Sequence, residues 1–403
     1  MTPQAGLAAP LERAAAHRPA VTRLTVTDFR CYAAARLEGD GRPVVLTGPN
    51  GAGKTNLLEA VSFLAPGRGL RRARLDEVTR RPPESRFWAV AARVATPRGE
   101  VAIGTGLDPA APGAGRRTVR IDGRPAAGQA ELGGHVAVLW LTPQMDRLFI
   151  EGAANRRRFL DRLVYGFHPD HAGRLSAYEQ AMRERARLLK DDRPDQAWLT
   201  ALEEAMATNG VAVAAARREV VARLAAAARI RAAGADEVDE AFPRAEVAVA
   251  GSIEAWLDEM PALAAEDTLR ARLHDSRRID ALVGGAAEGP HRSDLLVRHA
   301  GKDMPADQCS TGEQKALLVG LVLANARLLA GERGAPPLLL LDEIAAHLDA
   351  RRRTALFEEV LALGAQAWLT GTDAGLFAPF GGRVQHYGIE DAHLRELRPP
   401  PHP

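Results

Sequence analysis

The chain has 403 residues, a formal net charge of +2, and 46% hydrophobic and 26% charged residues, ordinary values for a globular protein of one large or two modest domains. Near-neutral charge gives no argument of its own for nucleic acid, and Cys31 and Cys309 are too few for a disulfide framework or paired CxxC metal spacing. Of 53 basic residues only four are lysines (Lys54, Lys190, Lys302 and Lys315), so a lysine standing in a motif is more informative than usual.

Residues 1–20 are rich in Ala, Pro and Arg without the apolar stretch of a signal peptide, and are read as a disordered tail. No run approaches the roughly 20 apolar residues that cross a bilayer, so a cytoplasmic location and no membrane partner are expected. From 21 to 150, short strands surround one helix. Residues 24–29 alternate with period two, and 43–47 form an apolar strand entering a glycine-rich loop. Helical spacing follows at 56–64. Strands are predicted at 87–95, 100–107, 117–121 and 135–141, separated by Gly/Pro turns, and together suggest an antiparallel sheet beside the loop. From 151 to 285 the pattern turns helical: Leu175, Tyr178, Met182 and Leu189, then Trp198, Leu202 and Met206, flank a polar turn at 190–195. This predicts an antiparallel helix pair, a long continuation over 211–233 and one strand at 245–250. Over 286–403 the alternating chemistry returns, with an apolar helix at 316–329 and an apolar strand at 338–341.

The loop reads Gly48-Pro49-Asn50-Gly51-Ala52-Gly53-Lys54-Thr55 between a strand and a helix, the setting a P-loop needs. Glycines let backbone N–H groups face phosphates, and the helix N-terminus adds partial positive charge. Gly48, Asn50, Gly51, Gly53, Lys54, Thr55 and Asn56 are the predicted ATP contacts, with Lys54 bridging the β- and γ-phosphates and the Thr55 hydroxyl on Mg²⁺. The apolar strand ends in Asp342 and Glu343. Asp342 is expected to hold Mg²⁺ and Glu343 to polarise the attacking water, although alone such a carboxylate could simply cap the next helix. Cys309-Ser310-Thr311-Gly312-Glu313-Gln314-Lys315 precedes the apolar helix. Its plainer reading is a capping box between Ser310 and Glu313. Its functional reading is an ABC-type signature, in which Ser310 and Gly312 at a helix N-terminus grip the γ-phosphate bound by another subunit. The two are compatible, because a capped helix N-terminus is itself an anion site. The expected fold is α/β: an ABC-type P-loop ATPase head, with a mixed sheet plus an antiparallel β subdomain and a mostly helical inserted second lobe.

These motifs, with Asp28-Phe29-Arg30-Cys31-Tyr32, the run from Gly67 to Arg74, Asn155-Arg156-Arg157-Arg158-Phe159-Leu160-Asp161, Gly289-Pro290-His291-Arg292-Ser293-Asp294, His347-Leu348-Asp349 and Thr370-Gly371-Thr372-Asp373, give the chain its resemblance. It resembles the RecF family of recombination-mediator ATPases, related to SMC-type heads, over most of its length. The resemblance implies that Gln144 sits in the Q-loop, linking Mg²⁺ and the γ-phosphate to the helical lobe. It places Asp349 in the D-loop, where capping the helix that follows is an equal alternative. Thr372 falls at the switch position, and Arg30 becomes a candidate nucleotide contact against an ordinary surface arginine. Ser293 stands where the family pattern has an acidic residue, and Glu313 and Lys315 where many relatives carry Gln and Arg. The resemblance implies a homodimer that forms on ATP binding and is released by weak ATP hydrolysis, with other recombination-mediator proteins as partners in repair and replication restart.

Double-stranded or gapped DNA is the expected cargo, mainly on the resemblance. Arginines cluster at 71, 72, 74, 80 and 81, at 116, 117 and 120, and at 156–158. Arginines on phosphates give salt-sensitive, sequence-tolerant binding, and the low aromatic content (5%) argues against a stacking platform for single strands. Arg71, Arg72 and Arg74 are the candidates, against a solvated surface in an arginine-biased chain. A transporter ATPase subunit is the alternative from another class, disfavoured by the long segment between Gln144 and Ser310. An SMC-like structural protein would need hundreds of coiled-coil residues there. A slow-hydrolysing nucleotide switch acting as a scaffold stays open.

Overall fold

The computed structural model describes residues 18–81, 87–107, 116–191, 193–234 and 241–397. The expected tail lies outside them up to residue 17, and Ala20 already begins a strand. The chain divides into two compact units, Met1–Met145 with Asn325–Pro403, and Asp146–Ala324.

In the first unit β1 (Ala20–Phe29) pairs antiparallel with β2 (Tyr32–Glu38), and β3 (Val44–Thr47) runs into the P-loop. β4 (Trp88–Thr96), β5 (Gly99–Leu107), β6 (Arg117–Ile121) and the short β7 (Arg124–Pro125) complete an antiparallel sheet in the order β2-β1-β4-β5-β6-β7. Buried and exposed positions alternate along β4 and β6, as in a sheet with one face on a core. β8 (Val138–Leu141) departs from expectation. It joins the other sheet, parallel to Leu338–Leu341, with Leu141 opposite Leu341. All four of its residues are buried, the pattern of a strand covered on both faces rather than one.

That second sheet runs His393–Leu397, Gln385–Glu390, β3, Ala367–Gly371, Leu338–Leu341, β8. Its register sets Thr47 beside Gly371, and Leu341 beside both Leu369 and Leu141. The carboxyl ends of four parallel strands therefore line up, and the residues just beyond them (Gly48, Thr142, Asp342 and Thr372) share one edge. That edge is where open α/β sheets bind ligands.

In the second unit the helix His171–Leu188 packs along Gln196–Gly234, which continues unbroken through the expected 211–233 stretch. Tyr178, Met206, Val211, Ile253, Leu269 and Leu273 form its core. Residues 286–324, expected with the ATPase lobe, group here because Asp294–His299 pairs with Ala245–Ala250 along its whole length. The helix Thr311–Arg333 is long and apolar enough to cross a membrane by composition, contrary to the sequence reading. Yet 67% of its apolar window is buried, as in a core helix.

Two stretches far apart in sequence lock together in this unit. Arg156 makes a bidentate pair with Asp294 at 2.8 Å, and Arg157 donates to the Ser293 carbonyl at 2.8 Å. Arg217 donates to both oxygens of Asp161 (2.8 and 2.9 Å) and to the Pro290 carbonyl. His171 Nε2 completes the group, 2.8 Å from Asp161 Oδ1. His171 thus turns to Asp161 and the nearby His168 to Glu219 at 3.1 Å, and among the described residues no three His, Cys, Asp or Glu side chains gather to hold a metal ion.

His291 sits inside the same lock. Its Nε2 lies 3.0 Å from the Ala286 carbonyl, which can only accept, so Nε2 carries the proton and Nδ1 accepts from the Tyr178 hydroxyl at 2.6 Å. Burial depresses its pKa from 6.5 to about 4, with Arg292, Arg157 and Arg217 adding like charge. The folded value lies below the unfolded one, so unfolded chains bind this proton first. The stabilising contribution is present above pH 6.5 and is lost as pH falls toward 4. Urea unfolding should show stability declining across that window by on the order of 3 kcal/mol, with a flatter profile for His291→Gln. A substitution that leaves the pH profile unchanged would refute the assignment.

Candidate nucleotide-binding site

The loop after β3 adopts backbone conformations that suit glycine. Gly48, Gly51 and Gly53 have φ of 151°, 83° and 114°. A Cβ on Gly48 would lie 2.1 Å from the Ile389 carbonyl oxygen, and one on Gly53 2.6 Å from the Tyr32 hydroxyl. Neighbouring strands therefore wall the loop, leaving the close backbone cradle that phosphate oxygens require. Lys54 folds over it, donating from Nζ to the Gly48 and Pro49 carbonyls at 2.7 and 2.9 Å. Burial lowers its pKa below the ordinary lysine value, and the charges of Glu343 and Asp342 partly offset this. Asn50 and Gly51 are exposed at the loop, and Asn56 lies in the first turn of the helix Lys54–Ser62.

The strand Leu338–Leu341 delivers its carboxylates to this cradle. Thr55 Oγ1 donates to Asp342 Oδ1 at 2.8 Å, and so does Thr370 Oγ1, also at 2.8 Å. Having used its only proton there, the Thr370 hydroxyl accepts from the Glu343 amide at 2.8 Å. Glu343 itself has φ of 54°, a left-handed conformation that costs a non-glycine residue about 1 kcal/mol or more and gathers at functional sites. The Thr370 bond holds that conformation. Thr55 and Asp342 present hard oxygen donors of the kind Mg²⁺ takes, and Gln144 is exposed just beyond β8.

In the second unit the capping box is fully formed. Glu313 Oε2 accepts from the Ser310 amide (3.0 Å) and hydroxyl (2.9 Å), and Lys302 pairs with Glu313 Oε1. The hydrogen bond from Lys302, then those from Ser310, hold the Glu313 carboxyl at about 2. Gly312 lies in the first turn of Thr311–Arg333. Lys315 Nζ reaches Asp146 Oδ2 at 2.9 Å.

Residues 20–378 match the family described as the RecF/RecN/SMC N-terminal domain. The chain is 50% identical over 382 residues to the DNA replication and repair protein RecF of Allorhizobium ampelinum, covering 94% of this chain and 99% of that one. It is 51% identical over 373 residues to the protein of the same name from Agrobacterium fabrum, covering 93% and 97%. The chain belongs to the RecF family. A solved structure of the recombination mediator RecF with ATP matches at TM-score 0.78 and 23% identity, covering 94% of this chain and 98% of that one. An Smc head domain from Pyrococcus furiosus matches at TM-score 0.50 and 15% identity, covering 94% and 96%. The architecture is thus the RecF and SMC-type ATPase head.

Within this RecF-family fold several expected contacts take up local partners. Arg30, at φ of 56°, gives Glu59 a bidentate pair at 2.8 and 2.6 Å. Arg71 Nη1 meets Asn56 Oδ1 at 2.6 Å and Glu59 Oε2 at 3.3 Å, which ties the 71–74 loop to the P-loop helix. Arg74 remains well exposed beside Asp76. Arg117 is buried against the Ala65 and Gly67 carbonyls, and burial lowers its pKa to about 9. It braces the backbone, and Arg156 and Arg157 belong to the lock described above. Asp349 caps Ala350–Leu363, accepting from the Arg352 amide at 2.8 Å, and Thr372 is exposed at a strand end. The sequence reading gave no role to Thr370, Glu59 or Asp146. Thr370 stood in a quoted motif, and a buried hydroxyl at the end of an apolar strand was the available signal.

Proposed function

We propose that this chain is a cytoplasmic ATP-dependent DNA clamp. It dimerises on ATP, binds duplex or gapped DNA, acts with other recombination-mediator proteins in repair and replication restart, and hydrolyses ATP slowly to release. The ATPase half is carried by one observation, the hydrogen-bonded chain from Thr55 through Asp342 and Thr370 to Glu343. The DNA half is supported by the RecF relatives named for replication and repair.

Lys54 leaves the loop carbonyls for the β- and γ-phosphates, while Gly48, Asn50, Gly51, Gly53 and Asn56 line the cradle. Thr55 and Asp342, with Gln144 as the linking residue, would hold Mg²⁺, which neutralises phosphate charge when bound. Glu343 accepts the proton of the attacking water at its carboxylate. Ser310 and Gly312 of a second copy close on the γ-phosphate, Asp349 and Thr372 relay its presence, and Arg30 supports the nucleotide's flank.

Arg71, Arg72 and Arg74 are assigned to the DNA backbone. Titrating labelled duplexes with ATP present should give affinity that falls steeply with salt and varies little between sequences. Arg72→Ala and Arg74→Ala should each reduce the log–log salt slope by about 1. Sequence-dependent, salt-insensitive binding would sink the reading.

A further inference from the structure

The signature region holds an arrangement that capping alone does not require. Three donors from two places in the chain converge on the Glu313 carboxylate: the Ser310 amide, the Ser310 hydroxyl and the Lys302 ammonium. Lys302 ends the turn Ala300–Lys302, which follows the strand Asp294–His299, so the fold brings it to the helix N-terminus from a separate element. A cation, a hydroxyl and a helix-terminal amide aimed at one point form a phosphate-type anion site. A carboxylate tethered three residues into the helix now occupies that point.

The residue type supports the same conclusion. In a chain with only four lysines among 53 basic residues, one stands in the P-loop, one in the signature and one here. An ammonium is a compact charge with three rotatable donors, able to pass from one anion to another. A guanidinium fork would remain bidentate on the carboxylate. A phosphate approaching Ser310 also meets an ionised Glu313, and this repulsion must be neutralised before the serine can bind.

We propose that Lys302 is a phosphate ligand, delivered with Ser310 to the nucleotide bound by a second copy of this chain, and that Glu313 holds its place until that nucleotide arrives. The assignment rests on the two-copy ATP site proposed above. Lys302 is half-exposed, and its replacement removes no core contact.

Sedimentation of the full chain with ATP, in a Glu343→Gln background that limits turnover, separates the alternatives. Lys302→Ala should weaken ATP-driven dimerisation about tenfold, while ATP affinity of dilute monomer stays unchanged. Glu313→Gln should tighten the dimer. The double variant Lys302→Ala/Glu313→Gln should remain about tenfold weaker than Glu313→Gln alone. If the double variant instead equals Glu313→Gln, Lys302 serves only to neutralise Glu313 and the proposal is overturned. Ser310→Ala is the control. If it weakens the dimer and Lys302→Ala does not, the Lys302 assignment alone fails. If Ser310→Ala has no effect, the two-copy site itself fails.

Discussion

Glu343→Gln is expected to bind ATP as the parent does, to hydrolyse it about 100-fold more slowly or worse, and to accumulate as a dimer on DNA. The magnitude follows from the role: general-base assistance contributes roughly 10²–10⁴ in rate, and glutamine keeps the volume while losing the proton acceptor. The substitution leaves the local geometry in place, because the contact that holds position 343 is its backbone amide on Thr370, not its side chain. Binding should survive for the same reason, since Thr55, Asp342 and the loop glycines are untouched. Lys54→Ala is the opposite case. It removes the ammonium that folds over the cradle, so both ATP binding and dimerisation should disappear. Phosphate release and light-scattering mass with ATP and duplex DNA read both variants. A Glu343→Gln protein that stays monomeric with ATP and DNA would falsify the clamp.

The parts legible in the sequence were those that depend on neighbours along the chain. Gly48 to Thr55 announces itself because its glycines, lysine and threonine must stand at fixed spacing, and Leu338–Leu341 because a strand covered on both faces is continuously apolar. The box between Ser310 and Glu313 is likewise a three-residue relation. Parts that depend on pairing across the fold were not legible. β8 looked like one more antiparallel strand because only its partner reveals which sheet it joins. Arg156–Arg158 read as a candidate phosphate patch, yet the partners of Arg156 and Arg157 lie 138 and 136 residues away at Asp294 and Ser293. Glu59 is the same kind of case: an acidic residue on the P-loop helix that gains meaning only when Arg30 and Arg71 arrive from either side. The resemblance named both the 155–161 and the 289–294 motifs, and the structure supplies the reason they occur together.

That reason leads to the largest expected stability effect. Asp161 is buried between Arg217 and His171. Burial pushes its carboxyl up, but the charge of Arg217 and the hydrogen bonds from His171 and Arg217 outweigh this and hold it at about 2. Asp161→Ala leaves Arg217 a buried charge without its hydrogen-bonded carboxylate, a change that costs about 3–5 kcal/mol, a large fraction of the 5–15 kcal/mol that holds a typical domain together. Replacing both partners with apolar residues, as in Asp161→Leu/Arg217→Met, should recover much of the loss, since the cost lies in the unpaired charge rather than in the absent attraction. The sign of the pH dependence follows too. The folded pKa lies below the unfolded value of 3.8, so the contribution is complete above that pH and fades as pH falls toward 2. Urea unfolding of the full chain at neutral pH checks the central claim. An Asp161→Ala midpoint within experimental error of the parent would mean that Arg217 finds water or another carboxylate, and the lock between the two motifs would then contribute little. If the cost appears as expected, Arg217 keeps its bond to the Pro290 carbonyl but loses both carboxylate bonds that fix its position. The 289–294 segment carrying His291 should then become the first part of this unit to exchange its amide protons.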